Sequence, residues 1–189
     1  MTTIVGIAGS LRAHSFNAAL LGVAAGLMPE GATLEIASIK GVPLYDADVE
    51  TSLGIPDAVL ALKARIVQAD GLLLATPEYN NSIPGVFKNA IDWLSRPATD
   101  IPRIFGNRPV AIMGASPGGF GTILAQNAWL PVLRALKTRP WFGGRMIVSR
   151  AGKLFSESGE LNDEQTRAGL RDFLHGFVAF VEELHAEAR

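Results

Sequence analysis

The chain has 189 residues, 48% of them hydrophobic, with 17 basic against 18 acidic side chains and no cysteine. A length of this order buries a core of its own, and a single domain over residues 1–189 is expected. A net charge of −1 argues against a polyanion-binding surface, so no nucleic-acid partner is expected. The lack of cysteine excludes disulfides, thiolate metal sites and thiol chemistry, so any redox work must ride on a bound cofactor.

In chain order, the first strand is Thr3 to Ala8, ending at Gly9. No basic, apolar leader precedes it and no apolar run approaches a membrane span. The expectation is a cytoplasmic protein without a membrane partner. A helix is predicted from about Phe16 to Leu27, closed by Pro29 and Gly31, followed by a second strand from Thr33 to Ala37 and a loop through Gly41, Pro43 and Tyr45 to Asp48. Pro56 and Asp57 open a helix that runs through Gln68. The third strand, Gly71 to Thr76, is apolar almost throughout, as suits a parallel strand covered on both faces. Pro84 opens the next helix, through about Leu94, with Ser82 near its N-cap. The fourth strand is Pro109 to Gly114, a helix follows from about Thr122 to Leu136, and the fifth strand lies near Arg145 to Ser149. In the last helix, after Asn162, Leu170, Phe173, Leu174, Phe177, Val181 and Leu184 recur at spacings of three and four and form one core-facing stripe. His175 falls inside that run and reads as packed. Trp93, Trp129 and Trp141 read as core or interface.

This alternation predicts an α/β fold, a parallel sheet with helices on both faces and right-handed crossovers. Ligands of such sheets sit outside the carboxyl ends of the strands. That places the site just after Ala8, Thr76 and Gly114.

The segment from Gly9 to Asn17 joins the first strand to the first helix and suits a phosphate. Unpaired N–H groups at a helix start attract an anion. Ser10, Ser15 and Asn17 add neutral donors, and Arg12 adds a charged fork. No Asp or Glu occurs between Met1 and Pro29. The plainer reading is a helix capped by Ser15 with Arg12 solvated. The G-x-G-x-x-G and Gly-Lys-Ser/Thr motifs are both absent, which argues against a dinucleotide held in the Rossmann manner and against a Walker A loop.

After the third strand, Thr76 to Gly85 is rich in turn formers. Tyr79 offers a face for stacking a flat ring, Asn80 and the local amides offer a rim of donors, and Glu78 can accept from a ring N–H. After the fourth strand, Gly114 to Gly121 lets backbone approach a flat ligand closely.

Two of these segments, G-S-L-R-x-x-S-x-N (Gly9 to Asn17) and P-E-Y-N-x-S-x-P-G (Pro77 to Gly85) followed by K-N-A-I-D-W (Lys88 to Trp93), resemble the NADPH-dependent FMN reductase family, with its quinone, chromate and azoreductase-like members. The resemblance covers essentially the whole chain. It implies a flavodoxin-like three-layer sandwich whose five-stranded sheet has the order 2-1-3-4-5. It implies FMN as cofactor, NAD(P)H as cosubstrate, small-molecule electron acceptors (quinones, azo compounds, nitroaromatics, chromate or free flavin) as partners, and a homodimer or homotetramer. On it, Ser10, Arg12, Ser15, Phe16 and Asn17 hold the FMN phosphate end. Pro77, Glu78, Tyr79 and Asn80 line the isoalloxazine, and Ser116, Gly118 and Gly119 approach the ring. No catalytic side chain and no metal ligand is assigned. Asn81 departs from the family, where relatives often carry Tyr.

Two other functions share parts of the pattern. A flavodoxin-type electron carrier needs a strongly charged docking face, for which −1 gives little support. Gly114 to Gly118 also reads G-x-S-x-G, the nucleophile elbow of a serine hydrolase. Ser116 would then need a histidine later in the chain, and only His175 and His185 follow it.

Overall fold

The computed structural model describes residues 1–187. It is a parallel sheet between two helical layers, with β1 Thr2–Ala8, β2 Ala32–Ala37, β3 Gly71–Ala75, β4 Pro109–Ala115, β5 Arg139–Pro140 and β6 Met146–Val148. The order is β2-β1-β3-β4, and both β5 and β6 pair with β4. The flavodoxin-like fold is therefore present, with its fifth strand in two pieces. Arg139 and Pro140 lie beside the start of β4, Met146 to Val148 beside its end. Just past β5 the Trp141 N–H still donates to Val110 O of β4 at 2.8 Å, and its indole packs edge-on against Phe173, ring centroids 5.1 Å apart.

Side-chain alternation along the strands divides the core. Ile4 and Leu73 face a layer made by α1 (Phe16–Ala25) and α7 (Glu164–Glu187), packing with Leu20, Leu21, Phe173 and Phe177. Val5, Ile7, Leu72 and Leu74 face the other layer, built on α3 (Asp57–Gln68), α4 (Gly85–Leu94) and α6 (Ile123–Ala135), with Phe87, Trp93 and Trp129. Trp93 and Trp129 are fully buried, so they are core and not surface contacts. His175 is exposed, on the solvent side of α7, against the expectation that it packs. No helix of the described residues is long and apolar enough to cross a membrane.

A short α2 (Ala47–Leu53) stands where the sequence reading has only a loop, capped by Asp46, whose side chain accepts from the Asp48 N–H. Its residues bury nothing fully, so no apolar period announces it. Between α4 and β4 lies the short α5 (Ile101–Ile104).

Candidate functional site

The carboxyl ends of β1, β3, β4 and β6 form one crest, stitched strand to strand. Gly9 N–H donates to Ala75 O at 2.9 Å, Thr76 N–H to Met113 O at 2.9 Å, and Ser116 N–H to Val148 O at 3.0 Å. Two glycines make this closeness possible. A Cβ at Gly9 would lie 2.1 Å from Phe87, and one at Gly114 would lie 2.3 Å from the Thr76 carbonyl oxygen. The three loops singled out in the sequence are thereby neighbours.

The first loop, from Gly9 to Ser15, ends on α1. Ser15 is the N-cap, its Oγ accepting from the Ala18 N–H at 3.3 Å. Ser10 Oγ accepts from the Arg12 N–H at 3.4 Å, and the Arg12 guanidinium donates to the His14 carbonyl at 3.3 Å. Among the described residues no protein acceptor takes the N–H of Leu11, Ala13, His14, Phe16 or Asn17. A run of unclaimed N–H groups beside one arginine, without a carboxylate in the loop, has the chemistry of a phosphate cradle.

Asn17 is used differently from the expectation of a free donor. It is 3% exposed, its Nδ2 donates to Ala115 O at 2.8 Å and its Oδ1 accepts from Ala115 N–H at 2.9 Å. The side chain therefore ties the β1 loop to the end of β4. Phe16 likewise packs its ring against protein, 5.8 Å from Phe155 and beside Gly152 of the turn after β6. With Phe155, Ala19 and Arg167 it lines a groove of about 800 Å³ that Arg12 and Ser15 of the first loop also border, and that none of the residues expected around the ring reaches.

The second loop closes on itself. Tyr79 and Ser82 exchange backbone hydrogen bonds at 3.1 and 3.0 Å, and Asn80 and Asn81 between them both adopt positive φ, +50° and +62°. This is a two-residue reverse turn of the kind Asn favours. Ser82 belongs to this turn and not to the cap of α4, whose N-cap position is Pro84. Tyr79 is 43% exposed. Glu78 is already engaged: its Oε2 accepts from the N–H groups of Leu124 at 2.8 Å and Ala125 at 2.9 Å. It caps α6 from 46 residues away, where the N-cap residue Thr122 makes no side-chain cap bond. The expected acceptor of a ring N–H is thus a brace between the second and third loops.

In the third loop Ser116 Oγ accepts from Gly118 N–H at 3.0 Å, while the N–H groups of Arg150 and Ala151 donate to Gly118 O and Ser116 O. No histidine meets Ser116 among the described residues. His185 Nδ1 lies 3.8 Å from Asp70, at the opposite end of the sheet. The hydrolase arrangement is not assembled.

The model of the NADPH-dependent FMN reductase family matches residues 2–153. An NAD(P)H-dependent FMN reductase of Pseudomonas aeruginosa is 43% identical over 96% of both chains. A quinone reductase of Escherichia coli is 38% identical, also over 96% of both. A solved flavoenzyme NAD(P)H:(acceptor) oxidoreductase of Paracoccus denitrificans superposes with a TM-score of 0.85 at 33% identity, covering 97% of this chain and 98% of its own.

Proposed function

Because this chain belongs to the NADPH-dependent FMN reductase family, we propose that this FMN-dependent NAD(P)H oxidoreductase reduces quinones at the crest described above. Residues Ser10 to Asn17 would hold the phosphate and the loops at Pro77–Asn80 and Ser116–Gly119 the ring. The acid-free run of unclaimed N–H groups around Arg12 carries the reading. The naming of a 38% identical relative as a quinone reductase supports the acceptor class.

When bound, FMN supplies two-electron chemistry, taking hydride from NAD(P)H and giving it up to the acceptor. The chain's part is to bind and to polarise. Arg12 and the unclaimed N–H groups of Leu11, Ala13, His14, Phe16 and Asn17 would neutralise a phosphate dianion. The N–H groups of Glu78, Asn80 and Gly119, which no protein acceptor claims among the described residues, offer donors to the polar rim of a ring lying across the crest. Fixed dipoles of that kind stabilise negative charge without reorganising. Tyr79 offers an apolar face, and no side-chain acid or base is required. The exposed Tyr79, Phe120 and Leu124 around the crest are apolar surface that a second copy of the chain would cover, in keeping with a homodimer or homotetramer.

The test is FMN titration of the apoprotein followed by NADPH oxidation with benzoquinone, an azo dye and free FMN offered separately. Tight FMN binding and turnover fastest with the quinone are expected. Arg12→Ala should weaken FMN binding by about 10- to 100-fold, the worth of a charged hydrogen bond. A protein that takes up no FMN, or one that reduces no quinone, overturns the proposal.

A further inference from the structure

The turn after β6 sets two cations on the crest that no acid claims among the described residues. Arg150 adopts φ +51°, in the left-handed region. Among the described residues five non-glycine residues have positive φ, and three of them are asparagines, which tolerate it. Lys137 lies just beyond the end of α6, where such a residue commonly terminates a helix. Arg150 has neither justification, and a glycine would sit there without strain.

Two backbone bonds fix its place. Arg150 N–H donates to Gly118 O at 2.9 Å and Ala151 N–H to Ser116 O at 3.0 Å, so this turn is the immediate neighbour of the third crest loop. Lys153 completes the turn, its N–H reaching Arg150 O at 2.9 Å. Both side chains are exposed, and among the described residues neither joins an ion pair. Glu78, the acid of the neighbouring crest loop, spends an oxygen on the start of α6.

The phosphate of the first crest loop is already provided for, by Arg12 and the unclaimed N–H groups beside it, which leaves these two cations over. The turn adjoins the start of α1, where a Cβ at Gly152 would lie 3.8 Å from the Phe16 ring, yet its backbone bonds run to the third loop, at Gly118 and Ser116. The crest therefore presents a second anion-binding position, beside the third loop. A guanidinium fork matches a phosphate. Quinones carry none, whereas the nicotinamide nucleotide carries a pyrophosphate and, in NADPH, a 2′-phosphate. We infer that Arg150, with Lys153 on the same turn, binds a phosphate of the nicotinamide nucleotide. The inference rests on the reading of the crest as the FMN site.

The experiment compares wild type, Arg150→Gly and Arg150→Lys, each loaded with FMN. Arg150→Gly relieves the left-handed strain, so its melting temperature should equal or exceed that of wild type. Its KM for NADPH should rise about 10- to 100-fold, with kcat and FMN affinity within about twofold of wild type. Arg150→Lys should recover part of the loss. Calorimetric titration with 2′,5′-ADP and with ADP-ribose gives a readout without turnover, and binding should weaken in parallel. Equal rises in KM for NADH and NADPH place the pyrophosphate at Arg150, and a rise for NADPH alone places the 2′-phosphate there. Unchanged KM and unchanged titrations overturn the inference, as does a loss confined to kcat or to FMN affinity. If wild type binds no FMN, the broader reading falls and this one with it. If wild type binds FMN and oxidises NADPH while Arg150→Gly behaves identically, this one alone falls.

Discussion

The side-chain amide of Asn17 and the backbone of Ala115 exchange two hydrogen bonds, at 2.8 and 2.9 Å, across 98 residues of chain. The amide copies the donor and acceptor of a neighbouring peptide and extends the pairing one step past the ends of the strands. It thus holds the phosphate loop at a fixed height relative to the third crest loop. Asn17→Ala leaves a buried N–H and a buried C=O of Ala115 without partners, each costing about 1–3 kcal/mol. We expect a loss on the order of 2–4 kcal/mol by urea denaturation, with weaker FMN binding. Asn17→Asp keeps the acceptor but sets a carboxylate against Ala115 O and beside the cradle, so its FMN affinity should fall further than that of Asn17→Ala. An equal or tighter affinity in Asn17→Asp would remove the anion from the first loop.

Glu78 supports the site in a similar way, by capping α6 from the second loop. A carboxylate at a helix N-terminus is stabilised by the N–H groups it accepts from and by the dipole. Glu78→Gln keeps an oxygen for Leu124 and Ala125 and loses only the charge, at about 0.5–1 kcal/mol. Glu78→Ala loses both bonds, at about 1–2 kcal/mol. It should also loosen the Pro77–Ser82 turn, seen as faster amide exchange at Tyr79 and Ser82. Unaltered exchange in Glu78→Ala would mean that the turn stands without its brace.

The strands were legible because β1, β3 and β4 bury both faces and so read as unbroken apolar runs, and α7 because its apolar stripe keeps one period over many turns. The three crest loops were legible from their glycines and prolines. What was not legible is the partner of each polar side chain. Asn17 in a Ser- and Arg-containing loop looks like a phosphate donor, and nothing local points to Ala115. Thr122 stands where a cap of α6 would, and the true cap, Glu78, lies one crossover earlier. Two features did leave local signals. Asp46 followed by Ala-Asp-Val-Glu and closed by Gly54 marks both ends of α2. The pair Asn80-Asn81 between Tyr79 and Ser82 marks a two-residue turn. Arg150 left none, because a left-handed arginine has no sequence signature.

That turn gives Asn81 a backbone role at the position where the family resemblance leads one to expect Tyr. At φ +62° a residue with a bulky Cβ substituent costs about 1–2 kcal/mol. Asn81→Gly should be neutral or slightly stabilising, whereas Asn81→Val should lose about 1 kcal/mol and raise KM for the quinone. Thermal melts and steady-state kinetics check both. A fully stable Asn81→Val would show that the turn relaxes to another form.

Acid sensitivity should centre on the far edge of the second helical layer. Lys63, 3% exposed, donates to the Arg96 carbonyl and pairs with Asp100 at 2.7 Å. The hydrogen bond from Lys63, aided by its charge and that of Arg103, holds the Asp100 carboxyl below its ordinary value against the opposing effect of desolvation. Glu50 is lowered as well, first by its hydrogen bond from Arg96. A carboxyl with a depressed folded pKa binds fewer protons in the native state than in the unfolded chain. Its contribution to stability is fully present above the unfolded value, about 4, and is lost as pH falls through the depressed one. Urea midpoints measured downward from pH 6 should therefore begin to fall near pH 5 and fall faster below pH 4. Asp100→Asn cannot titrate there, so it should be less stable than wild type at pH 7, by about 1–3 kcal/mol for a charged bond made neutral at a half-buried edge, and its stability should depend less on pH below 4. If the two proteins lose stability in parallel from pH 5 to pH 3, the pairing with Lys63 does not set the Asp100 proton affinity.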